Sequence, residues 1–391
     1  MEQEQQQPFR ILVVDDEPDV EPLIKQRMRP HIRSRKYAFH FVGDGAEALE
    51  ALSEVGRFDM VVTDINMPGM DGLTLLGRLS ELDADLKSVV ISAYGDMRNI
   101  RTAMNRGAFD FVTKPLDFDD FEITIERTRE HIIQWRKALE SRDKLIALQN
   151  ELDLASNMQQ AILPVDFPGG ADFDIHGCMA PARNVGGDFF DVMTLEHGRI
   201  GLAVADVSDK GIPAALFMMS SRTLLKGAAV GLDSPDGVLA EVNNLLHKDN
   251  RNAMFVTIVY MVFDPDTGTL TYANGGHCDP MIVHVDGSCT ALPGTGGIVL
   301  GLSGGLEYAQ AASSLSPGET LVMYSDGVPD AKNPQGEEFG AERLMRLFAS
   351  SPPGGAEEAN SRILEAVAAF TGDEPQTDDV TCLALHRSGT R

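Results

Sequence analysis

Four aspartates carry the first sign of chemistry in this chain. Asp188 follows two glycines in Gly186-Gly187-Asp188, and Asp206 closes the apolar run Ile200 to Ala205. Asp326 stands in Ser325-Asp326-Gly327 after Leu321 to Tyr324, and Asp378 in Thr377-Asp378-Asp379 ahead of Val380 to Leu385. Short apolar runs of this kind read as buried strands. Each acidic turn therefore abuts a strand end, where free backbone carbonyls add further oxygens. An oxygen-rich site suits a hard cation such as Mg²⁺ or Mn²⁺. A single Asp in a turn is usually a turn former, but the same design recurs here. Gathering four like charges without a cation would be costly. Gly186, Gly187 and Gly211 let backbone approach a bound ion or phosphate closely.

A second set lies nearer the N-terminus. Asp15 and Asp16 follow Ile11 to Val14, Asp64 follows Met60 to Thr63, Ser92 ends Val89 to Ser92, and Lys114 follows Phe109 to Val112. Three carboxylates can hold one Mg²⁺, while a hydroxyl and an ammonium beside them hold the oxygens of an anion. That combination suits phosphoryl transfer to a carboxylate, giving an acyl phosphate.

The elements that must position these groups follow from periodicity. Over residues 9–118, strand and helix alternate five times with short connections. This is the pattern of a doubly wound parallel sheet, with sites at the carboxyl ends of its strands. Residues 1–8 read as a disordered tail. Residues 119–163 read as a long helix ending before Pro164. Ile125, Thr128, Ile132, Trp135, Leu139 and Arg142 alternate by three and four, as do Leu145, Leu148, Leu152, Ala155, Gln159 and Ile162. At the join the repeat is one residue short, a break that locally overwinds a coiled coil. A narrow seam of this length predicts a parallel homodimer. Residues 164–391 alternate strands and helices with a hairpin about Pro265 to Gly268, and Met281 to Val285 and Ala291 are expected to continue that sheet.

The motifs carry two resemblances. Asp15-Asp16, Asp64-Ile-Asn-Met-Pro-Gly, Ser92 and Lys114-Pro115, at the right strand ends, resemble the receiver domain of bacterial response regulators. That resemblance implies Asp64 as phosphoacceptor, Mg²⁺ on Asp15, Asp16, Asp64 and the Asn66 carbonyl, phosphoryl contacts from Ser92 and Lys114, and Phe111 as a rotating aromatic switch. VGGDFFD, ADVSDKG, YSDG and TDDVT, in that order, resemble the SpoIIE/RsbU branch of the PPM (type 2C) metal-dependent serine/threonine phosphatases over about 154–385. It implies a β-sandwich flanked by helices and two Mn²⁺ or Mg²⁺ ions. Asp206 would bridge them, Asp188 and the Val207 carbonyl would complete one shell, and Asp326 and Asp378 would bind the other ion. Asp191 and Asp379 are expected outside the ligand set, and His277 as a hydrogen-bonded turn residue. The family often has glycine where this chain has Asp209.

Composition bounds the partners. With 33 Lys plus Arg against 59 Asp plus Glu, the formal charge is −26, which argues against nucleic acid or an anionic membrane. The four cysteines form no CxxC pair and fit a reducing cytoplasm. No signal peptide or membrane span is evident. The expected protein is a cytoplasmic response regulator. A sensor histidine kinase would phosphorylate Asp64, and the output would be a phosphatase acting on a phosphoprotein, commonly an anti-sigma-factor antagonist in families of this kind. The rival is a catalytically silent adaptor that binds a regulatory partner.

Overall fold

The computed structural model describes residues 7–388 apart from 55, 84, 94 and 171. Most of the tail expected at 1–8 lies outside the described residues. The chain divides into two compact units, Met1–Ala147 and Leu148–Arg391.

In the first unit β1 (Phe9–Val14), α1 (Val20–Arg27), α2 (Arg29–Arg33), β2 (Tyr37–Val42), α3 (Gly45–Glu54), β3 (Met60–Asp64), α4 (Gly72–Leu82), β4 (Lys87–Ala93), α5 (Met97–Asn105) and β5 (Asp110–Lys114) alternate as expected. The sheet order is β2-β1-β3-β4-β5, and every ladder is parallel. Its three central strands, β1, β3 and β4, are buried on both faces, which is why they read as unbroken apolar runs. Ile11 and Val13 enter one cluster with Met60, Val62, Val89 and Ile91, while Leu12 and Val14 face the other with Val61. Val14 pairs with Thr63, so Asp15 and Asp64 leave neighbouring strands side by side.

A single helix, α6 (Phe118–Ile162), follows. Its early seam residues are consumed by the first unit: Phe121, Ile125 and Ile132 complete the cluster on one sheet face, and Thr128 is buried. At the far end, Ile162 packs against the core of the second unit and Gln159 is buried there. The apolar residues left open in the middle are Trp135, Leu145, Ile146 and Leu148. Both ends of the expected seam are thus partly spent on intrachain packing, although Leu154 and Met158 are exposed as well.

The second unit continues with β6 (Phe173–Ala180), β7 (Phe189–Thr194), β8 (Ile200–Val207), α7 (Ile212–Gly231), α8 (Pro235–Asp249), β9 (Val256–Asp264), β10 (Thr269–Gly275), β11 (Met281–Val283), β12 (Cys289–Ala291), β13 (Gln310–Ser314), β14 (Thr320–Tyr324), α9 (Gly340–Arg346), α10 (Ala356–Thr371) and β15 (Val380–Arg387). Two antiparallel sheets, β13-β10-β9-β8-β7 and β12-β11-β14-β15-β6, face each other. Leu202 and Val204 of β8 meet Leu383 and Leu385 of β15 between the sheets. The alternate residues Ala203, Ala205 and Val207 pack beneath α7 and α8, and Cys382 and Ala384 beneath α9 and α10. Each fully buried Val, Leu, Ile or Met side chain here contributes roughly 1.5–3 kcal/mol. A charge at Val204 would break the sandwich from within.

The period of two also sets the site. Leu202, Val204 and Asp206 share one face of β8, and Asp379, Thr381 and Leu383 share one face of β15. These acidic residues therefore point between the sheets at one end of the sandwich. Two details differ from the sequence reading. Met281–Val283 and Cys289–Ala291 do not continue the hairpin sheet; they join β14 in the opposite one. Gln310–Ser314 forms an edge strand on β10 that its small polar residues do not announce. Among the described residues, no helix is long and apolar enough to cross a membrane.

Candidate functional site

The first acidic site sits where β1, β3 and β5 end. Lys114 Nζ lies 2.6 Å from Asp64 Oδ2, 2.7 Å from Glu17 Oε1 and 3.1 Å from Asp15 Oδ2. Asp15, Glu17 and Asp64 bring one oxygen each within 4.8 Å of one another. Burial works against the Lys114 charge, yet its bonds to Asp64 and Glu17 outweigh burial and raise its pKa. Burial raises the Asp15 carboxyl, against the Glu17 N–H and Lys114, which lower it. The Asn66 N–H donates to Asp64 Oδ1 at 3.2 Å, which places its own carbonyl at the same strand end. Ser92 Oγ is buried without a hydrogen-bond partner among the described residues. Gly72 is required here, since a Cβ would meet the Asp64 carbonyl at 2.0 Å. Of the residues expected to hold Mg²⁺, Asp16 is exposed and outside this cluster. Glu17 stands in it instead. Doublet spacing alone does not say which of Asp15 and Asp16 joins the cluster. Phe111 is 37% exposed on β5.

The second site joins the four scattered aspartates electrostatically. Asp188 is 1% exposed, and its Oδ2 is buried with no hydrogen-bond partner among the described residues. Burial first and the Asp206 charge second push its carboxyl well above the usual range, and the hydroxyls of Ser325 and Thr381 offset this in part. Asp206 is pushed up to about 7 by burial and by Asp326, with Asp378 and Asp379 adding to it. Asp326 is raised by burial and then by Asp378. Lys210 acts on this group as a cation: its Nζ lies 2.9 Å from Asp378 Oδ2 and donates to the Thr377 carbonyl at 2.5 Å, and its charge lowers the Asp326 carboxyl.

Asp379 holds the site together from behind. Its Oδ2 accepts from the Gly187 N–H at 2.6 Å and the Asp188 N–H at 3.3 Å, and its Oδ1 accepts from the Ala182 N–H at 2.7 Å. The glycines follow from this crowding. A Cβ on Gly186 would meet the Asp379 carboxylate at 2.5 Å, and one on Gly327 would meet the Asp379 carbonyl at 1.9 Å. Gly187 lies against the Val207 carbonyl, which a Cβ would approach to 3.0 Å. Asp191 belongs elsewhere: fully buried on β7, it pairs with Arg222 at 2.9 Å and Lys226 at 3.7 Å. His277 is buried, its Nδ1 is 2.8 Å from Thr257 Oγ1, and burial lowers its pKa to about 4. It is a neutral turn histidine. Asp209 has φ 68°, a left-handed conformation in which glycine is at ease and aspartate is tolerated.

One contact was not legible beforehand. Gln159, placed on the dimer seam by its spacing, instead clamps the glycine turn. Its Nε2 donates to the Gly186 carbonyl at 2.6 Å, and its Oε1 accepts from the Gly186 N–H at 3.0 Å. It is 3% exposed.

Both sites fit cations. The buried, unpartnered Asp188 Oδ2 and the mutual charge raising Asp188, Asp206 and Asp326 leave a deficit that Lys210 alone does not offset. Among the described residues, no three of the four bring oxygens within 4.8 Å of one another.

Comparison with known proteins places both units. Residues 11–126 match the response regulator receiver domain, and residues 196–388 match the stage II sporulation protein E (SpoIIE) family. Protein IcfG of Synechocystis sp. is 29% identical over 265 residues, covering 61% of this chain and 42% of IcfG. Phosphoserine phosphatase RsbU of Bacillus subtilis is 29% identical over 243 residues, covering 61% of this chain and 71% of RsbU. The crystal structure of the RsbU and RsbW domains of Rv1364c from Mycobacterium tuberculosis is similar at 25% identity with a TM-score of 0.51, over 59% of this chain and 64% of that one. The chain thus spans less than half of IcfG and under two thirds of the Rv1364c structure.

Proposed function

We propose, for a chain that joins a receiver domain to a PPM-type serine/threonine phosphatase domain of the SpoIIE family, that phosphorylation of Asp64 controls hydrolysis of a phosphoserine or phosphothreonine on a partner protein. The receiver is taken as residues 9–118, the helical linker as 119–163 and the phosphatase as 164–391. The observation that carries the catalytic half is the convergence of Asp188, Asp206, Asp326 and Asp378 at one end of the sandwich with their charge unbalanced.

Asp188, Asp206 and the Val207 carbonyl would hold one Mn²⁺ or Mg²⁺, and Asp206, Asp326 and Asp378 the other. When bound, such ions supply Lewis-acid activation of water and charge neutralisation on a phosphomonoester. The chain's own part is to fix the ligands. Asp379 and Gln159 grip the turn that carries Asp188, and the ladder between β8 and β9 holds Asp206 opposite Thr257. Lys210, partly exposed at the rim, is a cation for the oxygens of an incoming phosphate.

In the receiver, Asp15, Asp64 and the Asn66 carbonyl would hold Mg²⁺, with Asp16 or Glu17 completing the set. Ser92 and Lys114 would contact the phosphoryl group. The phosphodonor would be a sensor histidine kinase and the substrate an anti-sigma-factor antagonist; the name of RsbU as a phosphoserine phosphatase supports the substrate class. A cytoplasmic location fits such partners. A homodimer would form through the central turns of α6, where Leu145, Ile146 and Leu148 are exposed. The deciding experiment is Mn²⁺-dependent phosphate release from an aryl phosphate and from candidate phosphoproteins, with and without beryllofluoride. Activity without any beryllofluoride response refutes receiver control. Absence of all metal-dependent release leaves a silent adaptor.

A further inference from the structure

The register of the second sheet brings two cysteines directly opposite each other. Cys178 on β6 pairs with Cys382 on β15. The Ser325 N–H donates to the Thr381 carbonyl at 3.0 Å, so Thr381 turns its peptide groups toward β14 and Cys382 turns its own toward β6. The two cysteines are therefore a hydrogen-bonded antiparallel pair. Such pairs have Cα atoms about 5.5 Å apart, inside the roughly 4.4–6.8 Å that a disulfide spans, while their Cβ atoms stand at the wide end of about 4.5–5.5 Å, so closing the bond draws the two strands together. Directly opposed residues share a face, and both pack against the cluster under α10. The thiols already interact: Cys382, by hydrogen bonding, holds the Cys178 thiol below its usual value, and Cys178 pushes Cys382 well above. Cys178 is half-buried on the edge strand and Cys382 is fully buried. This gives an accessible attacking thiol and a protected resolving one.

We propose that Cys178 and Cys382 form a reversible peroxide-oxidation site whose disulfide lowers phosphatase turnover. The Cys178 thiolate attacks hydrogen peroxide: an S–O bond forms, the O–O bond breaks, and hydroxide leaves, giving a sulfenic acid. The Cys382 sulfur then attacks that sulfur, an S–S bond forms, and the hydroxyl departs as water with the Cys382 proton. Two thiols are oxidised and one peroxide is reduced to two waters. An external dithiol reverses the reaction by exchange. The link to the site is short. Thr381 precedes Cys382, its N–H donates to Ser325 Oγ at 3.0 Å, and its hydroxyl faces Asp188. Drawing β15 toward β6 displaces the strand end that carries Asp378 and Asp379.

The test uses the reduced full-length chain. It is treated with hydrogen peroxide, quenched, alkylated and digested, and in parallel assayed with Mn²⁺ and an aryl phosphate. The expected result is a Cys178–Cys382 linked peptide and a loss of turnover of about tenfold or more, the scale seen when groups orienting metal ligands are disturbed. Dithiothreitol should restore the activity. Cys178→Ser should keep its basal activity and resist peroxide, and Cys382→Ala should behave alike. Peroxide inactivation of Cys178→Ser to the same extent, a linkage through Cys278 or Cys289, or a linked peptide with unchanged turnover each overturns the proposal. The linked peptide is read without reference to catalysis. A reduced protein with no activity would therefore refute the phosphatase reading, while the mass measurement still decides the thiol pair.

Discussion

Replacing Asp206 by asparagine should stabilise the metal-free protein while abolishing its activity. Burial and Asp326 raise the Asp206 carboxyl from 3.8 to about 7. That is about three units, and at 1.36 kcal/mol per unit the ionised group costs the folded state about 4 kcal/mol above pH 7. The sign follows from linkage: a carboxyl raised in the folded state favours folding below pH ~4, and that advantage is lost as the pH rises to about 7. Asparagine removes the charge but leaves a buried polar group, which returns about 1–2 kcal/mol of the cost. A net gain of roughly 2–3 kcal/mol corresponds to an increase of about 5–10 °C in Tm for a unit of this size. The assay is thermal unfolding at pH 8 in chelator, repeated with Mn²⁺. The wild type should gain more from Mn²⁺ than Asp206→Asn, because the ion removes the same repulsion. Equal or lower stability of Asp206→Asn in chelator would refute the claim that like charge is confined at this site.

Asp64→Asn should take up no phosphoryl group from acetyl phosphate and show no beryllofluoride response, while its basal Mn²⁺-dependent turnover is retained; labelling and an aryl phosphate assay read both. Gln159→Leu removes both bonds to Gly186 and should weaken Mn²⁺ affinity about 10–100-fold, with kcat recovering at saturating Mn²⁺. A loss of kcat that saturating Mn²⁺ does not repair would contradict its positioning role. Asp209→Gly relieves a left-handed aspartate and should raise stability by up to about 1 kcal/mol, read as a higher urea midpoint.

The receiver-like half is legible because its three central strands are buried on both faces and each functional group sits at a strand end. The apolar runs and the acidic turns then coincide in sequence. The four aspartates proposed to hold metal are legible for the same reason. Glu17 escapes because the side-chain directions after β1 are set by the turn, not by the doublet. Gln159 escapes because a buried amide on an exposed helix has the same spacing as a weak seam residue; only the backbone of Gly186, distant in sequence, distinguishes them. Asp379 reads as a second acid beside Asp378, and its grip on the glycine turn depends on strand pairing between β6 and β15. The crossing of β11 to the opposite sheet is silent in sequence, since a strand buried on both faces looks alike in either layer.

Asp379 touches the Asp188 turn with its side chain, and its carbonyl lies against Gly327 and within 3.3 Å of Ser325 Oγ, beside Asp326, while the residue itself follows Asp378. Three of the four loops proposed to hold metal therefore share one keystone. An ion seated at either position would stiffen the other, so metal uptake should be cooperative, with both proposed ions titrating in a single steep transition.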